Sequence, residues 1–220
     1  MGRTVTRLKV CCIQSISEAR LAMRHGASAL GLVSAMPSGP GPISEESIAE
    51  IAAQTPPGIA TFLLTCETRA DAIVAQHRRC RTTTLQLVDR VEPGAHAALR
   101  EALPGIGIVQ VIHIESMESF EEAVALAPEV DVLLLDSGRP SATVKELGGT
   151  GRVHDWSISR RLVQAVDKPV YLAGGLNPEN VAEAVRQVRP FAVDVCSGLR
   201  TDGALDEAKL VDFTRALAQA

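Results

Sequence analysis

Aromatic side chains are scarce in this sequence of 220 residues: they make up 3% of it, with one Trp and one Tyr. A core must therefore be assembled from Ala, Val, Ile and Leu, which suit buried parallel strands and the helices that cover them. No apolar run approaches the roughly 18–20 residues of a membrane span. Neither sign of charge dominates. The 22 Lys and Arg against 26 Asp and Glu leave a formal charge of −4, whereas a general nucleic-acid binder carries a basic footprint. The one dense basic run, His77-Arg78-Arg79-Cys80-Arg81, reads as the solvated end of a surface helix. Cysteines stand at 11, 12, 66, 80 and 196. Their number is odd, no C-x-x-C pair occurs, and most read as strand-embedded small hydrophobes. No His, Asp or Glu cluster has metal-ligand spacing, and the first apolar run leads into Cys12-Ile13-Gln14-Ser15 rather than a glycine-rich dinucleotide fingerprint. Charges interrupt Met1 to Lys9, so no secretory signal opens the chain. These absences predict chemistry without metal or cofactor, no nucleic-acid or membrane partner, and a reducing cytoplasm.

What is present is one recurring pattern. A short apolar run is followed by Gly, Pro, Ser or Asn, then by a helical period, then by the next apolar run. The strands predicted are Leu8–Cys12, Ala29–Val33, Ile59–Leu64, Leu85–Val88, Gly107–Ile112, Val132–Leu135, Val170–Ala173 and Ala192–Cys196. The helices predicted are Ser17–His25, Ser44–Gln54, Arg69–Arg79, Ala95–Leu103, Met117–Leu126, Ile158–Val166, Pro178–Val188 and Asp206–Leu217. Capping signals support them. Ser44 precedes Glu45 and Glu46, and Asn177-Pro178 reads as a cap followed by proline at the first helical position. Alternating strands and helices call for a parallel sheet with right-handed crossovers. Eight such units close into a single α/β barrel domain, a (β/α)8 TIM barrel over residues 1–220; an open doubly wound sheet is the competing answer.

In such a barrel, chemistry sits at the C-terminal ends of the strands. Three glycine turns follow late strands: Gly148-Gly149-Thr150-Gly151, Ala173-Gly174-Gly175-Leu176 and Cys196-Ser197-Gly198-Leu199. Glycine lets successive N–H groups approach one anion, so Gly149, Thr150, Gly151, Gly174, Gly175, Ser197 and Gly198 are candidate phosphate ligands. Each turn alone is also an ordinary tight turn. Cys11 closes the first strand, and Asp136 exits the buried run Val132–Leu135. A thiolate and a carboxylic acid across one mouth make an acid–base pair for moving protons on carbon. Asp194 orients either a substrate hydroxyl or the last turn. His113 lines the pocket or is structural, and His154 and Asp155 cap the following helix. Successive strand residues face opposite sides, so only one of Cys11 and Cys12 should face the mouth.

At these residues the chain resembles the phosphoribosylanthranilate isomerase family of tryptophan biosynthesis. The resemblance spans nearly the whole chain. It is carried by Lys9-Val10-Cys11, Gly26–Gly31, Leu133–Asp136, Gly148–Gly151 with Asp155-Trp156, Ala173–Val181, and Val193-Asp194-Val195 with Ser197-Gly198. It implies an aldose–ketose isomerase that performs an Amadori rearrangement of N-(5'-phosphoribosyl)anthranilate. By that resemblance Asp136 is the general acid that opens the ribose ring, and Cys11 is the base that takes the proton from the sugar's second carbon. It further implies a phosphorylated aminosugar as partner and a monomer or homodimer.

The departures are as specific. Gly41 stands where the family's Arg grips the anthranilate carboxylate, Val88 where it has His, Cys12 where it has Gly, and Arg200 where it has an acidic residue. They leave two alternatives open: a divergent isomerase acting on another aminosugar phosphate, and a non-catalytic sugar-phosphate-binding barrel.

Overall fold

Eight apolar runs pair edge to edge and close on themselves in chain order. In the computed structural model, which describes residues 5–37, 39–138 and 154–220, the strands are β1 (Arg7–Val10), β2 (Ala29–Val33), β3 (Ala60–Thr65), β4 (Thr84–Leu87), β5 (Gly107–His113), β6 (Val132–Asp136), β7 (Val170–Leu172) and β8 (Ala192–Val195). Helices α1 (Ile16–Arg24), α2 (Glu45–Gln54), α3 (Ala70–Cys80), α4 (Ala95–Ala102), α5 (Met117–Leu126), α6 (Trp156–Ala165), α7 (Val181–Val188) and α8 (Glu207–Ala218) follow them in turn. All eight strand pairings are parallel, and β8 closes the ring on β1 with Asp194 beside Lys9 and Val195 beside Val10. The predicted barrel is the observed one, and the open sheet is excluded by that closure.

A parallel strand inside a helical shell is buried on both faces, so it needs apolar residues at every position rather than at alternate ones. β2 meets this with five buried residues in five. Its outward Leu30 and Leu32 join Leu63, Leu85, Leu133 and Leu135 against Ile48, Ile73, Leu99, Leu162 and Phe213 of the helices. Each such side chain contributes about 1.5–3 kcal/mol by leaving water. Helix starts follow local chemistry. Ser15, Ser44, Ser116, Asp155 and Asp206 each accept a hydrogen bond from an N–H of the first turn of α1, α2, α5, α6 and α8, worth about 1 kcal/mol apiece.

Four features differ from expectation. α7 starts at Val181 rather than Pro178. Asn177 caps no helix; its Oδ1 accepts from Glu179 N and Asn180 N, which makes a turn ahead of it. A short hairpin, β9 (Arg200–Thr201) with β10 (Ala204–Leu205), follows β8 and was not foreseen. None of the five cysteines lies in a strand: Cys11, Cys12, Cys66 and Cys196 stand just beyond strand ends, and Cys80 ends α3. The reason is that β1 and β8 end before their apolar runs do, at Val10 and Val195, so that Cys11, Cys12 and Cys196 fall just past the paired residues.

Candidate active site

The barrel interior is filled in layers drawn from alternate strands. Following the register, Gly31, Gln86, Leu134 and Asp194 form one layer from the even strands. Cys11, Leu64, Val111 and Ala173 stand above it on the odd strands and their ends. Above these a cavity opens at the C-terminal ends of the strands, the concave setting in which small ligands bind. Cys11, Cys12, Asp136, Asp194, Gly174, Gly175 and Ser197 all line it. An apolar wall of Val33, Met36, Leu64, Val88 and Val111 also lines it. Among its described lining residues there is no Lys or Arg.

Cys11 and Asp136 therefore share one cavity, as the sequence predicts. Both are buried, at 7% and 9% exposure. Burial pushes the Asp136 carboxyl above its ordinary value, against the Ser137 N–H that donates to its Oδ1 at 2.7 Å and against the nearby His113 and Lys9. A raised carboxyl holds its proton to higher pH than a free one, which suits a general acid. The layer beneath holds an ion pair that sequence reasoning missed. Lys9, fully buried, places Nζ 2.9 Å from Asp194 Oδ2. Burial works against the Lys9 charge, but Asp194 outweighs it and keeps the ammonium protonated. Burial raises the Asp194 carboxyl, and the same ammonium opposes the rise. Glycine at 31 makes room for this: a Cβ there would stand 2.7 Å from Cys11 Sγ and 3.0 Å from Lys9 Nζ. The signal for Lys9 was a lysine set within the apolar run Leu8–Cys12. Gln86 was also missed. It is buried, lines the cavity, and its Oε1 has no partner among the described residues.

Two of the three glycine turns meet. A Cβ on Gly198 would stand 2.0 Å from the Leu176 carbonyl oxygen, so only glycine lets the turn after β8 pack on the turn after β7. Asn180 holds the second turn in shape, donating Nδ2–H to Gly175 O at 2.9 Å and accepting from Asn177 N at 2.9 Å. The candidate residues Gly149, Thr150 and Gly151 lie outside the described residues. Asp194 faces the cavity but is tied to Lys9, with only Oδ1 left unpartnered among the described residues.

Other expectations fare differently. His113 is not part of the cavity lining; its Nε2–H donates to Val88 O at 3.0 Å. Asp155 caps α6, and half-buried His154, its pKa pushed down to about 4 by desolvation, bonds Ser159 at 2.7 Å. Cys12 was expected to turn away from the mouth, yet it lines the same cavity as Cys11. Its φ of +61° breaks the strand alternation on which that expectation rested. Arg200 reaches back from β9 to Glu18 at 2.9 Å and to the Cys12 carbonyl, fastening the end of the barrel's last strand to α1. Among the described residues no three His, Cys, Asp or Glu side chains are placed to hold a metal ion, and no described helix is long and apolar enough to cross a membrane.

The profile of the family described as N-(5'phosphoribosyl)anthranilate (PRA) isomerase matches residues 8–216. An N-(5'-phosphoribosyl)anthranilate isomerase 2 of Methanosarcina mazei is 36% identical over 215 residues, covering 94% of this chain and 92% of that protein. The Haloferax volcanii isomerase is 37% identical over 204 residues, covering 92% and 88%. Among solved structures, the phosphoribosyl anthranilate isomerase of Thermotoga maritima superposes with a TM-score of 0.82 at 27% identity, over 98% of this chain and 100% of that one. A phosphoribosyl anthranilate isomerase in complex with reduced 1-(o-carboxyphenylamino)-1-deoxyribulose 5-phosphate superposes at 0.79, with 25% identity, over 98% and 100%.

Proposed function

The chain belongs to the N-(5'-phosphoribosyl)anthranilate isomerase family and is an aldose–ketose isomerase of tryptophan biosynthesis; we propose that it works with Asp136 as general acid and Cys11 as general base. The observation that carries the assignment is their convergence, from the end of β6 and the end of β1, on one cavity. Asp136, whose carboxyl burial raises above its ordinary value, gives its proton to the ribose ring oxygen. The ring opens, and the substrate nitrogen and first sugar carbon become an iminium. Cys11 takes the proton from the second sugar carbon, and that electron pair flows into the iminium to give an enolamine. Protonation at the first carbon, with loss of the hydroxyl proton from the second, then leaves the ketone. The iminium itself is the electron sink.

The turns after β7 and β8 are the proposed phosphate grip, through Gly174, Gly175, Ser197 and Gly198, with Gly149, Thr150 and Gly151 as the third segment. A phosphate anchored there directs the rest of the substrate across the mouth. Its aryl group then lies against Val33, Met36, Leu64, Val88 and Val111, with the sugar fixed between acid and base. Asp194 Oδ1 is placed to accept from a sugar hydroxyl. We read the protein as a cytoplasmic monomer or homodimer whose partner is this phosphorylated aminosugar.

The test is turnover of N-(5'-phosphoribosyl)anthranilate in metal-free buffer, with growth of a tryptophan auxotroph lacking the isomerase as the cellular counterpart. Activity in the wild type and its loss in Cys11→Ala and Asp136→Asn are expected. Undiminished turnover in Cys11→Ala removes the assignment of the base. Turnover only of an analogue without the carboxylate favours the divergent isomerase, to which Gly41 points.

A further inference from the structure

Three sulfurs meet at the barrel mouth, and the proposed reaction uses one. Cys12 and Cys196, which it leaves unused, come from sites 184 residues apart and place their Sγ atoms 2.7 Å from each other. The fold delivers this pair through two local features. Cys12 adopts a φ of +61°, a region that side chains other than glycine's rarely enter. Its side chain also depends on glycine at 41, because a Cβ there would stand 2.6 Å from Cys12 Cβ and 3.2 Å from its Sγ. The two departures from the family pattern at 12 and 41 are thus one exchange: the space beside residue 41 is filled by the cysteine at 12.

The two sulfurs differ in reach and in chemistry. Cys12 is buried, whereas Cys196 is partly exposed, so a reagent dissolved in water meets Cys196 first. A hydrogen bond with Cys12 lowers the Cys196 thiol pKa against its burial, helped by the Arg200 guanidinium. Hydrogen bonds to Cys11 and Cys196, with burial, push the Cys12 thiol well up. One sulfur is therefore disposed to be the thiolate and the other to hold its proton, the division of labour between an attacking and a resolving cysteine.

We propose that Cys12 and Cys196 are a covalent modification site, a thiol pair that hydrogen peroxide converts to a disulfide. The Cys196 thiolate attacks one peroxide oxygen, the O–O bond breaks, and the departing hydroxide takes up a proton as water. Cys196 is oxidised to the sulfenic acid and the peroxide is reduced. Cys12 then attacks that sulfur; the S–S bond forms, the S–O bond breaks, and the hydroxyl leaves with the Cys12 proton as a second water. Two thiols and one peroxide give one disulfide and two waters. The link would stand in the wall of the cavity that Cys11 also lines, beside the proposed base. This consequence rests on the reading of Cys11 as the base, and it makes the linked enzyme slower.

The reduced full-length protein is exposed to hydrogen peroxide, blocked with iodoacetamide, digested with trypsin and mapped by mass spectrometry. The peptide bearing Cys12 is expected joined to that bearing Cys196 in the wild type and in Cys11→Ala. It should be released by dithiothreitol and absent from Cys12→Gly and Cys196→Ser. Glycine takes the φ of residue 12 without strain, so loss of the link in that variant does not report unfolding; a melting curve confirms it. The kcat/KM of the oxidised wild type falls several-fold and returns with dithiothreitol. Sulfinic acid at Cys196 without a link, or a link that persists in Cys12→Gly, overturns the pair, and an undiminished rate in the linked enzyme overturns the coupling to Cys11. Because mass reads the link, a linked protein that never isomerises brings down the isomerase mechanism alone, and an active enzyme that never links brings down the thiol pair alone.

Discussion

The barrel has two interiors, and they are built to different rules. The shell between strands and helices is mainly aliphatic, with Leu30, Leu63, Leu85, Ile48 and Leu162 all fully buried. The space inside the strands mixes Phe62, Val109 and Leu134 with buried Lys9, Gln86, Asp136 and Asp194. The shell gains stability with each apolar contact. The inside accepts buried charge, which raises stability only when every partner is present. The difference teaches where the molecule places stability and where it places chemistry: the outer layer tolerates conservative trimming, whereas the inner one responds sharply to the loss of a single polar atom.

Four measurements break or sharpen this contrast. The largest effect is expected inside. Cys11→Ala should lower kcat/KM by about 10²–10⁴-fold with little change in melting temperature; an equal loss of stability would show the sulfur to be packing. Next comes Lys9→Met, which strands Asp194 in the barrel. Denaturant unfolding should show a loss of about 3–5 kcal/mol, and adding Asp194→Leu should restore most of it. A Lys9→Met protein as stable as the wild type would mean that the ion pair is not needed.

A pH series separates the inner carboxyl from the rest. Because the folded Asp136 pKa lies above its ordinary value of 3.8, the folded state holds a proton that the unfolded chain has released. The contribution is fully present below that ordinary value and is lost as pH rises through the folded pKa. Asp136→Asn should therefore gain stability relative to the wild type as pH rises over that window, while its turnover is lost. A constant difference across pH would show that burial does not raise this carboxyl. The smallest effect belongs to the shell. Ile48→Val should cost about 0.5–1.5 kcal/mol in thermal unfolding and leave kcat unchanged; altered kcat would mean that the two interiors are coupled.

Much of this architecture was legible beforehand, for reasons particular residues make plain. Ala29–Val33 was placed to the residue because a strand buried on both faces is apolar at every position. Met117–Leu126 was placed equally well, with Ser116 capping it. Asp136 could be assigned to the mouth because four apolar residues precede it in a strand that ends there. Other features were hidden. Strand periodicity sent Cys12 outward, but one left-handed residue reverses that direction. Lys9 was quoted as part of a motif, yet its ion pair with Asp194 joins residues at opposite ends of the chain. The turn Asn177–Asn180 resembled a helix start because the same Asx chemistry serves both.

The sequence by itself determined the alternation of strand and helix, the eightfold closure and the strand ends where function would lie. Each of these follows from local periodicity and from the number of units, which need no knowledge of distant neighbours. Only the tertiary structure decided that Cys12 sits in the space beside Gly41 and against Cys196, that Gly198 packs on Leu176, and that Asp194 answers Lys9. Such contacts join segments far apart in the chain. They are set by how strand register and a few backbone angles bring side chains into one volume, and no run of neighbouring residues encodes that.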